Sequence, residues 1–222
     1  MHVELVFYDA SNNVYLGQAA HCSGTGGATE AGGCDSGSLP IGTPVEIENA
    51  SRPGTLVYNS WIAMQQRGET NQDVCDFNDL GLVKVDPADA PTVNPTIPFW
   101  GGPTSTTDTT QQGDTVLSYG NSSLRLGISQ LSPKQGLSLG QSGGGWTHQV
   151  YTVTPGIPGD SGSAFIDADG RAFGVLSTLQ IAPTVGSNGV SDLTRMLAYM
   201  EANGGPDVTL ALGTEPFSGP LL

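Results

Sequence analysis

The chain has 222 residues, which suits one two-lobed all-β domain or two small domains. Its formal net charge of −14 at pH 7 repels phosphate backbones and argues against nucleic acid as a partner. We expect this charge to keep a secreted protein soluble, with adaptation to cationic substrates as the alternative. No apolar run reaches the length of a transmembrane helix. The apolar residues instead fall in short runs broken by Gly, Pro, Ser, Thr and Asn, a pattern typical of short strands joined by turns.

The first part of the chain contains a series of short strand-like segments. Residues 3–8 and 13–18 predict two strands joined by the turn DASNN, and a Gly-rich loop follows over 23–42. Further strands are predicted at 44–48, 56–61 and 80–85. The stretch 86–113 is rich in Pro, Thr, Asp and Gln and has no periodicity, so it predicts a long connection.

Strand patterns resume after this connection in a group of similar size, which indicates two similar β lobes. The predicted strands are 115–119, 124–130, 146–153, 164–167 and 172–178. One helix is predicted near the end, with Ser191 as its cap. Its apolar stripe consists of Leu193, Met196, Leu197 and Met200. Residues 208–212 predict a final strand or a packed tail.

Three motifs, AAHC, NDLGLVKV and GDSGSAF, present His21, Asp79 and Ser161 in chain order. A serine hydroxyl does not ionise by itself, whereas a histidine can take its proton and later return it to a leaving amine. A buried carboxylate holds the imidazole in the required tautomer. His21 or Asp79 alone would more often be a structural residue, and GDSG alone is a plausible turn, but the order His, Asp, Ser is one of three known for this geometry. We therefore predict a catalytic triad.

The GDSG motif also offers donors for an oxyanion. The backbone N–H groups of Gly159 and Ser161 can point into one hole and stabilise the charge of a tetrahedral intermediate. Asp160 can brace the same turn from inside through its carboxylate.

These three motifs closely resemble those of the chymotrypsin/trypsin-like serine proteases, and the short chain with Gly- and Thr-rich loops resembles their secreted bacterial, actinobacterial-like branch. The resemblance implies an all-β fold of two antiparallel six-stranded β-barrels with a C-terminal helix. Residues 1–97 would form the barrel with His21 and Asp79, and residues 98–222 the barrel with Ser161. It implies a monomeric, secreted serine endopeptidase that acts on protein or peptide substrates, with no cofactor, metal, nucleic-acid or membrane partner.

The resemblance also nominates residues for substrate binding. Ser177 would lie beside the triad aspartate, and Thr178 and Leu179 would offer backbone to an extended substrate. Pro155 stands at the family position for primary specificity, six residues before the serine, so a preference for Arg or Lys is not supported. Leu176 stands where glutamate-specific bacterial relatives often have histidine. We expect a small or apolar pocket.

Family members carry further sequence before the His strand, including a cysteine that pairs with the one after the histidine. The resemblance therefore implies a first barrel that is incomplete at its N-terminus, and a Cys22 without a partner. Cys34 and Cys75 remain as a pair, with Cys22–Cys34 as the alternative. The start MHVELVFYDA shows no signal peptide. An arginine often braces the aspartate before the serine in the bacterial branch; Arg125 is a candidate, although we favour a surface position for it.

Three other classes of protein are considered. A catalytically silent binding module is disfavoured because all three triad residues are present. An α/β-hydrolase needs a histidine after its serine, and none follows Ser161. A metal enzyme is disfavoured because the chain has only His2, His21 and His148 and no H-E-x-x-H motif. DADG at 167–170 lacks the remaining ligands of a calcium loop.

Overall fold

A computed structural model describes residues 5–26, 32–179 and 186–221, which form two β-sheets and three α-helices. The strands before the long connection are β1 (Leu5–Tyr8), β2 (Val14–Gln18), β3 (Pro44–Val45), β4 (Gly54–Asn59) and β5 (Gly81–Lys84). The later strands are β6 (Ser105–Thr106), β7 (Thr115–Tyr119), β8 (Pro133–Ser142), β9 (Thr147–Thr152), β10 (Ala164–Asp167), β11 (Arg171–Leu179), β12 (Asn188–Asp192) and β13 (Thr209–Leu210). The helices are α1 (Ser60–Arg67), α2 (Gln72–Phe77) and α3 (Leu193–Ala202).

The first sheet has six antiparallel strands in the order β13-β1-β2-β5-β4-β3. Alternate residues of β1 point to opposite sides of the sheet, and both sides are packed against apolar residues. Leu5 and Phe7 enter the cluster that also holds α3 residues, while Val6 packs with Leu16 and Val83. The segment predicted as a final strand or packed tail contains the strand β13. It pairs with β1, at the other end of the chain, and not with the strands just before it in sequence.

The second sheet closes on itself. Its order is β10-β7-β8-β9-β12-β11-β6, and β10 also pairs with β11, so six antiparallel strands form a barrel. The short β6 runs parallel to β11 at the edge. One apolar cluster contains residues from both sheets and from α3, among them Leu82, Ile166 and Met196, so the two lobes share a core. The all-β, two-lobed fold class with a C-terminal helix is confirmed.

The helices differ in how far the sequence predicted them. α3 lies where it was expected, but its cap is Asp192, whose carboxylate accepts from the N–H of Arg195 at 2.9 Å. The Ser191 cap was therefore wrong by one residue, because the helix begins at Leu193 and its cap is Asp192, the last residue of β12. α1 was not predicted: the strand expected to run to residue 61 ends at Asn59, whose side chain caps the new helix. None of the helices within the described ranges is long and apolar enough to cross a bilayer.

One further prediction of secondary structure was wrong, and one strand was not predicted. The segment 124–130 is not a strand but two 3-10 turns, Ser123–Arg125 and Ser129–Leu131. The ten-residue β8 that follows was missed, because it begins with proline and is rich in Gly and Ser, which are poor strand formers. The boundary between lobes at residue 97 stays a prediction.

Candidate active site

The pairing of β2 with β5 brings His21 and Asp79 together. Gln18 at the end of β2 lies opposite Gly81 at the start of β5. His21 comes three residues after Gln18 and Asp79 two residues before Gly81, so both lie at the same end of this strand pair. The backbone N–H of His21 donates to Asp79 Oδ1 at 2.8 Å, and His21 Nδ1 lies 2.7 Å from Asp79 Oδ2. Ala20 N also donates to the carbonyl oxygen of Asp79 at 3.1 Å. With Nδ1 engaged, Nε2 is the ring nitrogen left for a reacting group.

The environment of His21 shifts its proton affinity. Burial disfavours the charged imidazole, but the negative charge of Asp79 and the hydrogen bond to it outweigh burial and raise the pKa of His21 above its ordinary value. The His21 side chain keeps 27% of its surface exposed, whereas that of Asp79 keeps 5%. The imidazole is thus held by a buried carboxylate while one side remains open to solvent.

Ser177 links this pair to the second lobe. Its hydroxyl donates to Asp79 Oδ2 at 2.5 Å, so the oxygen that holds His21 also receives a bond from β11. Asp79 Oδ2 therefore accepts one bond from His21 in the first lobe and one from Ser177 in the second.

Ser161 lies in a turn that is bonded to the same strand. Gly162 N donates to the carbonyl oxygen of Leu176 at 2.9 Å, and Leu176 directly precedes Ser177. The turn needs glycine on both sides of the serine, because Gly159 and Gly162 have φ angles of +96° and +93°, which are strained for other residues. The serine is half-buried. A short series of hydrogen bonds thus connects the Ser161 turn, β11, Asp79 and His21.

The carboxylate of Asp160 is fully buried and has four donors. Arg125 Nη2 lies 2.5 Å and Lys134 Nζ 3.1 Å from its Oδ2, which also accepts from the N–H of Ile157 at 3.1 Å. Ser122 N donates to Oδ1 at 2.9 Å. Burial raises the pKa of Asp160, but the Arg125 hydrogen bond and the Lys134 charge outweigh it and hold the pKa below its usual range.

The surface position favoured for Arg125 is therefore wrong, since its side chain is 7% exposed. Lys134, the second cation at this carboxylate, has a fully buried side chain. One signal was available in the sequence: both cations fall in the stretch 115–159, which contains no Asp or Glu. Because buried charges are paired, two cations in such a stretch point to a carboxylate elsewhere in the chain.

The nominated substrate-binding residues lie on two segments beside the Ser161 turn. The carbonyl oxygen of Pro155 accepts from Arg125 Nη2 at 3.0 Å. The carbonyl oxygen of Thr178 accepts from the side chain of Asn188, a buried residue that sequence reasoning missed. Leu179 ends β11 with 44% of its surface exposed.

The cysteines follow the favoured pairing. Cys34 and Cys75 form a disulfide with a Cα–Cα distance of 5.1 Å, and Cys22 is free, so the alternative Cys22–Cys34 bridge is excluded. The bridge ties the loop after His21 to α2, which directly precedes the segment with Asp79. Burial, followed by the charge of Asp79, raises the pKa of the Cys22 thiol to about 12.

His148 forms a second buried pair that is separate from this site. Its Nε2 lies 2.8 Å from Asp192 Oδ2 beneath α3, where the same carboxylate caps the helix. Within the ranges that the structure describes, no group of three His, Cys, Asp or Glu side chains is placed to hold a metal ion.

No protein-family model and no curated protein matches the sequence. Solved structures do match. Thermobifida fusca Protease A has 17% identity and a TM-score of 0.58, over 95% of this chain and 91% of that one. A glutamic acid specific serine protease described as using a histidine triad in substrate binding has 18% identity and a TM-score of 0.54, over 94% and 92%. Nocardiopsis protease has 19% identity and a TM-score of 0.53, over 94% and 90%. The chain has the chymotrypsin-like fold of these bacterial serine proteases.

Proposed function

We propose that this protein is a serine endopeptidase that hydrolyses peptide bonds through Ser161, His21 and Asp79. The observation that carries the proposal is the buried carboxylate of Asp79, which bonds His21 Nδ1 while Ser177 ties it to the strand beside the Ser161 turn. In this proposal His21 Nε2 is the base and the Ser161 hydroxyl is the nucleophile. The disulfide is typical of an oxidising compartment and supports secretion.

The proposed reaction has two halves. His21 Nε2 takes the proton of the Ser161 hydroxyl as its oxygen attacks the scissile carbonyl carbon, and the imidazolium then protonates the leaving amine. Water attacks the acyl-enzyme next, gives a proton to His21, and the serine leaves with that proton restored. Asp79 keeps the imidazole in one tautomer and stabilises its cation, in agreement with the raised pKa of His21.

The oxyanion would be bound by the N–H groups of Gly159 and Ser161. These two residues flank Asp160, whose carboxylate is fixed by Arg125 and Lys134. We propose that this buried ion cluster keeps both donors pointed at the oxyanion.

An extended substrate would pair with the backbone of Thr178 and Leu179 beside the nucleophile. Pro155 would border the pocket for the side chain before the cleaved bond. Cleavage after Arg, Lys or Glu should be poor. Pro155, Thr178 and Leu179 supply no counter-charge, and an unpaired charge in a pocket is costly.

Labelling with a fluorophosphonate probe tests the proposal. The folded wild type should be labelled, Ser161→Ala should not be, and Ser129→Ala, which alters an exposed serine, should be labelled like the wild type. Asp79→Asn should lower kcat by roughly four orders of magnitude, which is the usual effect of replacing the aspartate of a Ser-His-Asp triad by asparagine. Persistent labelling of Ser161→Ala, or no labelling of the folded wild type, would show that the assignment is wrong.

A further inference from the structure

Asn188 joins two backbone segments through one buried side chain. Its Nδ2 donates to the carbonyl oxygens of Gly156 at 3.0 Å and Thr178 at 3.1 Å, and its Oδ1 accepts from Gly156 N at 2.7 Å. Asn188 is 1% exposed. Because two carbonyls require the NH₂ group and one N–H requires the oxygen, these partners fix the orientation of the amide.

These two segments flank the Ser161 turn. Thr178 follows Ser177, whose hydroxyl contacts Asp79, and Gly156 lies on the chain that leads into the turn. The amide of Asn188 therefore spans the gap between the strand beside the proposed nucleophile and the segment before it.

The space at Gly156 is already filled. A Cβ added there would meet Leu176 Cδ2 at 2.6 Å and Asn188 Nδ2 at 3.0 Å. Leu176 is 3% exposed and belongs to the core of the second barrel, so it has little freedom to move aside. A large substrate side chain that entered this gap would have to displace the amide and leave three buried backbone groups unpaired.

We propose that Asn188 closes the specificity pocket, so that the protein cleaves after small side chains such as Gly, Ala or Ser. This inference rests on the proposed function, because it concerns the pocket beside Ser161. Discrimination comes from the strand-bridging amide: a small side chain leaves its three hydrogen bonds intact, whereas Leu or Phe breaks them.

The test is a series of peptide substrates that differ only in the residue before the cleaved bond. The wild type should have kcat/KM for Ala at least roughly tenfold above that for Leu or Phe, because each unpaired buried group costs about a factor of ten. Asn188→Gly removes the amide and should change the Phe-to-Ala ratio of kcat/KM by roughly 10- to 200-fold in favour of Phe.

Two variants separate closure of the pocket from general structural support. Asn188→Asp keeps the size of the side chain but cannot donate to the two carbonyls, so it should weaken the preference for small residues, whereas a purely structural role of Asn188 would lower stability alone. Asn203→Gly, at the end of α3, should retain the wild-type preference as a matched control.

The outcomes are distinguishable. A wild type that cleaves best after Leu or Phe would contradict the inference while leaving the proposed function standing, and this measurement needs no variant to fold. An active Asn188→Gly with an unchanged preference would contradict it too. A folded wild type that a fluorophosphonate does not label would overturn the proposed function, and this inference with it.

Discussion

The buried cluster around Asp160 allows a quantitative test by a double-mutant cycle. Arg125→Met and Lys134→Met each remove one of the two cations that face the carboxylate while keeping an apolar side chain of similar length. Leaving a buried charge without its partner costs about 3–5 kcal/mol of the free energy of unfolding. Here each single variant retains the other cation, so we expect a smaller loss of about 1–3 kcal/mol. Arg125→Met should cost more, because Arg125 also donates to the carbonyl oxygen of Pro155.

Among the described residues, the double variant leaves Asp160 with the N–H groups of Ser122 and Ile157 as donors. Its loss of stability should exceed the sum of the two single losses by about 1–3 kcal/mol, the usual coupling within one ion network. Urea denaturation at pH 7 measures all four proteins. Arg67→Met, an exposed arginine at the end of α1, should change the free energy of unfolding by less than about 0.5 kcal/mol. Strictly additive losses in the double variant would refute the idea that both cations stabilise the same carboxylate.

Three further predictions concern the first lobe. Replacing Cys34 and Cys75 by Ser should lower the free energy of unfolding by about 3–5 kcal/mol in denaturation experiments, and an unchanged midpoint would contradict this. Since Asp79 raises the pKa of His21, an NMR titration should give a lower pKa for His21 in Asp79→Asn than in the wild type. The contribution of this pair to the free energy of unfolding is complete below the unfolded-state pKa of His21 and is lost as pH rises through the folded-state pKa. The Cys22 thiol, with a pKa raised to about 12, should react slowly with a disulfide reagent in the native protein and rapidly in urea, and fast native reaction would contradict the raised pKa.

The sequence predicted the residues of the candidate site better than it predicted the buried residues that hold them in place. His21 and Asp79 stand in motifs specific enough to predict their contact, and Cys34–Cys75 followed from the same resemblance. Arg125 was wrongly predicted to lie at the surface, because SSLRLGIS alternates like a strand and its partner, Asp160, is far along the chain. Burial of such a residue depends on which distant segment packs over it, which local pattern does not encode.

The short helices show the same limit. α1 begins directly after β4, and its first residues, Ser60, Trp61 and Ile62, include types that favour strands. Its eight residues are too few to show a clear helical period, and the Asn59 cap is recognisable only once the helix is known. α3 is longer, with an apolar stripe over ten residues, and was predicted from that stripe.

The pairing of Phe7 with Leu210 has a consequence for how the chain matures. Because β13 is the last of the described strands to emerge from the ribosome, the edge of β1 that it covers lacks this partner until synthesis is nearly finished. Joining residues so distant in sequence requires closure of a very long loop, which makes this step slow compared with the local hairpins of the second barrel. The lobe that is synthesised first is therefore the lobe that is completed last, and until then its unfinished edge can pair with other chains.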